Sequence, residues 1–357
     1  MASLFTSAGA HEAGVAQSGS KYSVLYNFPG APAGSFGGNE VTPDSSGNIY
    51  GTTIFGGANN YGSVFRLASD GSESVLHSFS EGDSPDAPVL ILPNGNMIGT
   101  SGGTIWQIAS DGTFSVLHSF TVDDGFSPSG KLVQDKDGNL YGTCQLGGEH
   151  NNGTVFEYTA TGQFTVLYRF GGDDGLSPTR GVVIDNKGNL YGATSFGGTT
   201  DQGTVYKIAR DGTFSSLYSF SGGADGEMPI GGLAIDEKGN LYGNTFGDGG
   251  GTIFKITPKG TLTTIYTFTG GINLTDPDGD VLLAGKTLYG SASAGGAYGL
   301  GGLYEFSLKG TEKTLADFSD ANGNSLSDGV TLWGKFFYGS TASGGSSENG
   351  VVFRVKK

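Results

Sequence analysis

Ser23-Val24-Leu25-Tyr26-Asn27-Phe28 is a short run of β-forming residues, and its recurrence along the chain decides the fold. Equivalent runs end at Phe79, Phe120, Phe170, Phe220, Phe268 and Phe318. Between them lies a second signature, clearest in Gly138-Asn139-Leu140-Tyr141-Gly142. It places a Tyr-Gly pair at Tyr50, Tyr141, Tyr191, Tyr242, Tyr289 and Tyr338, with Ile98-Gly99 in the remaining slot. That makes seven copies, and a period of this length marks stacked modular units.

The fourth copy shows the unit most plainly. Residues 181–185 are a short apolar strand a, Asn186-Lys187-Gly188 is a turn, and residues 189–194 form strand b. A longer loop with Gly197-Gly198 leads to strand c at residues 203–208. Asp211-Gly212 then turns the chain into strand d at residues 213–220. A four-stranded antiparallel meander with Val, Leu, Tyr and Phe on both faces cannot stay soluble alone. Radial stacking buries both faces and leaves only short edges, so the expected fold is an all-β, seven-bladed β-propeller.

The chain opens with a strand d, residues 22–28, and finishes with a strand c, residues 351–355. The last blade therefore lacks its outer strand, and the first strand is expected to supply it and close the ring. An open solenoid would need polar capping repeats, and neither end has one. This gives one domain over residues 22–357, preceded by an Ala-, Gly- and Ser-rich segment, residues 1–21, outside the repeat.

Composition narrows the partners. With 34 Asp and Glu against 19 Lys and Arg, the net charge of −15 repels phosphate backbones and anionic membranes, so nucleic acid is not expected as a partner. No run reaches membrane-span length, so insertion is not expected, and the domain reads as a monomer. The 67 glycines are interleaved with aromatics, as turn glycines are. The single cysteine, Cys144, sits where other copies carry Thr, Ser or Ala and reads as a small buried filler.

The repeats Gly-Asn-Leu-Tyr-Gly-Thr, Gly-Gly, Gly-Thr-Val-Phe and Val-Leu-Tyr-Ser-Phe resemble the GloVer tandem repeat of bacterial proteins, often called choice-of-anchor tandem-repeat proteins. The resemblance spans residues 22–357. It implies a propeller in a protein often secreted or held at the cell surface, although residues 1–21 show no signal peptide and a cytoplasmic location stays open. It implies no particular activity.

Function is therefore sought where blades depart from the repeat. Strand directions put the b-to-c loops and the d-to-a crossings on one face, the variable one, and tight turns such as Asp135-Lys136-Asp137-Gly138-Asn139 on the other. That turn resembles part of a calcium loop, but its siblings lack the second carboxylate and it reads as a plain turn. The crossings are acidic, with Glu81, Asp83, Asp86, Asp123-Asp124, Asp173-Asp174, Asp225 and Glu227 as turn carboxylates. Asp276, Asp278 and Asp280, spaced by two with a glycine, form a candidate calcium site, and Asp320-Ala321-Asn322-Gly323-Asn324 repeats the spacing. No other cofactor is implied.

Short b-to-c loops in the second and fifth blades are expected to leave a notch on the variable face. Beside it the third and fourth blades carry Glu149-His150-Asn151-Asn152 and Thr199-Thr200-Asp201-Gln202, with Lys131 and Arg180 near the inner ends of their crossings. The two cations either orient a carboxylate or sugar, or neutralise Asp124 and Asp174. His77 and His118 occupy a strand-d slot held elsewhere by Tyr and read as inter-blade packing, which leaves His150 as the functional imidazole. Trp333, with Phe336-Phe337, and Trp106 read as packing residues.

Two classes follow. One is a binding module for a single polar small molecule or glycan at the channel mouth, although no exposed aromatic platform is seen to repeat. The other is an enzyme of lyase, cyclase or hydrolase type, with His150, Arg180, Lys131, Asp124 and Asp174 in acid-base work. A protein-interaction platform is a further alternative.

Overall fold

The computed structural model of the chain describes residues 21–30, 35–37, 39–85, 87–247, 249–270, 273–326 and 328–357. Asp86 and residues 1–20 lie outside the described residues. Seven four-stranded antiparallel blades form a β-propeller, each running from an inner strand a to an outer strand d. The third blade is Phe126–Gln134, Leu140–Leu146, Thr154–Tyr158 and Phe164–Arg169; the fourth is Leu176–Ile184, Leu190–Phe196, Thr204–Ile208 and Phe214–Ser219. In these two blades strand a is nine residues long and starts earlier than the sequence suggests, because the crossing itself pairs with strand b (Phe126 with Leu146, Leu176 with Phe196).

Ring closure occurs as expected. Tyr22–Asn27 pairs antiparallel with Val351–Lys356, from Tyr22 opposite Val355 to Asn27 opposite Val351, and becomes the outer strand of the seventh blade. Phe28, just beyond it, is fully buried with Phe65 and Val352 in the cluster that joins the seventh blade to the first.

The repeat signature has two physical reasons. The first is turn capping. Asp135 accepts hydrogen bonds from the amides of Asp137 (2.9 Å) and Asn139 (2.8 Å), from Asn139 Nδ2 (3.0 Å) and from the Tyr141 hydroxyl (3.1 Å). Asp44, Asp185 and Asp236 repeat the arrangement, so Asn and Tyr recur because one carboxylate needs both. This is the plain turn the sequence indicated.

The second reason is packing. The glycine after Tyr admits an aromatic ring from strand c: a Cβ on Gly99 would lie 2.2 Å from Trp106, and one on Gly142 2.6 Å from Phe156. Both rings are fully buried, and trimming such a ring to Ala costs about 3–5 kcal/mol. The apolar residues divide into seven clusters among the described residues, one at each junction between blades.

His77 stacks on Phe114 with ring centroids 3.6 Å apart, and His118 on Phe164 at 3.8 Å, as Tyr168 does on Phe214. The two histidines therefore fill the inter-blade slot. Cys144 is buried, which pushes its thiol up to about 12. Trp106 is core, whereas Trp333, the last residue of the inner strand Thr331–Trp333, is 46% exposed and is not the packing residue the sequence suggested.

Candidate functional site

The site is built by the inner strands. In the third blade Ser129 faces Thr143 and Val133 faces Tyr141, so Gly130, Lys131 and Leu132 bulge opposite the single residue Gly142. The fourth blade repeats this with Arg180, Gly181 and Val182 opposite Gly192. The bulges pack so closely that a Cβ on Gly130 would lie 2.1 Å from the Arg180 carbonyl carbon. Arg180 itself has φ 58°, a left-handed conformation uncommon outside glycine, held by this packing.

These bulges send two cations into the channel, where carboxylates from the first, sixth and seventh blades meet them. Lys131 Nζ lies 3.0 Å from Glu40 Oε2 and 3.0 Å from Asp280 Oδ2. Thr331 donates to the other Glu40 oxygen at 2.6 Å, and the Gly232 amide donates to the other Asp280 oxygen at 2.9 Å. Arg180 Nη1 pairs with Asp328, its Nη2 donates to the Asp278 carbonyl at 3.1 Å, and its Nε donates to the Ile230 carbonyl at 3.3 Å. Among the described residues, every blade except the second contributes a group. Burial works against a charged amine at Lys131, but Glu40 and Asp280 outweigh it and hold its pKa far above the usual lysine range.

Beside this network, toward the variable face, lies a cavity of about 200 Å³ lined by Ser129, Gly130, Gln145, Thr179, Arg180, Ile230 and Asp328. Ser129 is 8% exposed, and its hydroxyl has no hydrogen-bond partner among the described residues. A buried hydroxyl without a partner is uncommon, which marks it as a group that something in the cavity satisfies. Behind Arg180, Asp278 Oδ1 is also buried without a partner, and burial pushes this carboxyl up to about 7 although Arg180 pulls it down.

The sequence matches the Gloeobacter/Verrucomicrobia repeat over residues 5–181 and 100–251, which together span more than half of the chain. The chain belongs to the Gloeobacter/Verrucomicrobia repeat family. In this member of the family the matched copies include the third and fourth blades, with both channel cations, while Asp280 and Asp328 lie beyond the matched residues.

Among solved structures the chain is similar to a catalytically inactive virginiamycin B lyase from Staphylococcus aureus with quinupristin. The likeness is 12% identity, 94% of this chain, 99% of that one and a TM-score of 0.65. It is also similar to the extracellular domain of a putative one component system from B. thetaiotaomicron, at 12% identity over 92% of this chain and 39% of that one, TM-score 0.61. A third likeness is to a gluconolactonase from Xanthomonas campestris, at 15% identity over 82% and 89%, TM-score 0.50. At these identities the likeness establishes the propeller fold alone. No curated protein is significantly similar in sequence.

The residues singled out from this family member's sequence fall into four groups. Lys131 and Arg180 come together in the channel, but with Glu40, Asp280 and Asp328. They do not neutralise Asp124 and Asp174, which cap crossing turns instead: Asp124 accepts from the Thr121 amide at 3.0 Å and lies 3.3 Å from His118, and Asp174 accepts from the Gly171 amide at 2.8 Å and from Tyr168. His150 is exposed in the b-to-c loop of the third blade and does not line the cavity. Its neighbour Asn151 closes that loop on the Gly147 amide at 3.0 Å, as Asp201 closes the next on Gly197 at 2.8 Å.

The calcium candidates do not converge. Asp280 turns to Lys131, Asp276 lines a separate depression, and no trio of His, Cys, Asp or Glu among the described residues could hold a metal. That depression, of about 600 Å³ around Phe246, Gly247, Gly250 and Thr275, lies between the fifth and sixth blades and away from the third and fourth, beside which the notch was expected. A repeated apolar position also exists where none was expected. Phe55, Leu146 and Phe196 end strand b in their blades and are exposed.

Sequence reasoning missed Glu40, Asp328 and Ser129 as site residues. A signal was present. Counted back from the apolar residue of each inner strand, Glu40, Lys131 and Asp280 share one position, before Val41, Leu132 and Val281, and Arg180 and Asp328 share the position before that.

Proposed function

We propose that the protein binds one polar small molecule, or the terminal residue of a glycan, in the cavity at the channel mouth on the face of the long loops. The observation that carries this is the unpartnered, buried Ser129 hydroxyl aimed into a cavity whose other walls are Gln145, Thr179, Arg180 and Asp328. Sites of this kind sit in concave, largely preformed pockets with a few convergent polar groups. A glycan array followed by calorimetry tests it: a binder with a stoichiometry of one, lost in Arg180→Ala, supports the site. Several equivalent sites per chain, or binding that survives Arg180→Ala unchanged, contradicts it.

A single-site enzyme is the second reading, and Asp278 favours it. A carboxyl that titrates near 7 beside an arginine suits acid-base work. Turnover of a ligand found on the array, abolished in Asp278→Asn with binding retained, would select this reading.

A further inference from the structure

Resting on that cavity as the site, we infer that the group it takes is an uncharged, hydroxyl-bearing ring, a free monosaccharide or the terminal sugar of a glycan, and not a carboxylate.

Two cations near a cavity suggest an acidic ligand at first sight, but both are engaged. Arg180 gives Nη1 to Asp328, Nη2 to the Asp278 carbonyl and Nε to the Ile230 carbonyl. Lys131 holds two carboxylates at 3.0 Å each. The channel thus sets three carboxylates, Glu40, Asp280 and Asp328, against two cations. An incoming carboxylate would have to displace Asp328 or sit beside it, and like charges at close range in a partly desolvated site repel strongly.

The remaining cavity groups ask for hydroxyls. Asp328 pairs with Arg180 through Oδ1 and lines the cavity, so its carboxylate offers a ligand a pure acceptor. The Ser129 hydroxyl, which has no partner among the described residues, and the Gln145 amide each offer the cavity a donor and an acceptor. Thr179 donates to the Ile230 carbonyl at 3.4 Å and keeps its lone pairs for a donor. Vicinal hydroxyls, which donate and accept together, match this mixture. A cavity of about 200 Å³ is below the size of drug-binding pockets, so it takes a ring-sized group.

The test uses the full chain in calorimetry and saturation-transfer NMR with glucose, galactose, mannose and N-acetylglucosamine. Their methyl glycosides separate a free sugar from a glycan terminus, and glucuronate, galacturonate and glucosamine serve as charged arms. Wild type should bind at least one neutral probe, with the matching uronate at least tenfold weaker. Asp328→Asn should release Arg180 and strengthen uronate binding at least tenfold. Should that variant fail to fold, Ser129→Ala should weaken the neutral probe at least fivefold with an unchanged melting curve. A wild type that prefers a uronate or glucosamine overturns the neutral-sugar inference and leaves the site standing. Binding that Ser129→Ala and Asp328→Asn both leave unchanged overturns the site, and absence of binding to every probe overturns both.

Discussion

The third and fourth blades and the sixth and seventh are built on one repeat but meet the channel differently. In the first pair strand a is nine residues long and registered along strand b, with a bulge that fixes one cation in each blade. In the second pair strand a is cut to three residues, Leu282–Ala284 and Thr331–Trp333, and irregular chain runs before it. The carboxylates Asp280 and Asp328 come from that irregular chain and accept the cations from across the ring. Regular blades thus supply long side chains from a rigid base, and irregular blades bring short carboxylates inward by bending backbone. The difference teaches that divergence of late copies is where a closed repeat can acquire a singular site, since seven identical blades would present only seven identical charges.

The largest effect expected concerns the irregular end. Deleting residues 1–28 leaves the seventh blade with three strands and an exposed edge, so cooperative melting should be lost and the protein should aggregate. Deleting residues 1–20 should leave the melting curve unchanged. Equal behaviour of the two truncations would mean that the seventh blade does not depend on closure.

Next comes the charge network. Lys131→Met leaves Glu40 and Asp280 facing each other without their cation, and should cost about 3 kcal/mol in denaturant unfolding, near the lower end for a buried pair because Lys131 keeps some solvent contact. Asp280→Asn leaves Lys131 paired with Glu40 and should cost about half as much. If the two losses are equal, or reversed, the reading of Lys131 as one cation shared by two carboxylates is mistaken.

The pH dependence sharpens the same contrast. Asp278 titrates near 7 in the folded chain, against about 4 when unfolded. A carboxyl raised on folding is most favourable when protonated, so its contribution declines as pH rises from about 4 to about 7 and is constant above. The melting temperature of Asp278→Asn should therefore gain on that of wild type between pH 5 and pH 8. A gap that stays constant would show that Asp278 is solvated. The smallest effect is expected at His150, exposed in a loop: His150→Ala should change stability by less than about 0.5 kcal/mol and leave ligand binding within twofold.

The fold was legible because each blade repeats its reasons: the Asp, Asn and Tyr of one turn cap, and the glycine that admits Phe156 or Trp106. Closure was legible from the strand types at the two ends. The site was legible in part. Lys131 and Arg180 stood out as singular cations, but their partners lie roughly 90 to 150 residues away in sequence, and only the closed ring brings Glu40 and Asp328 to them. Spacing by two suggested that Asp276, Asp278 and Asp280 share a cation. The crossing instead sends Asp280 to Lys131 and leaves Asp278 buried, because Asp276, at φ 57°, turns the backbone before Pro277.

The central claim, that regular and irregular blades are joined across the channel by paired charges, is tested most directly by a double-mutant cycle on Arg180 and Asp328. Unfolding free energies would be measured for wild type, Arg180→Gln, Asp328→Asn and the double variant. Direct pairing predicts that the double variant is more stable than the sum of the single losses implies, by about 1–3 kcal/mol. Losses that add to within about 0.5 kcal/mol would show that the two blades do not meet there.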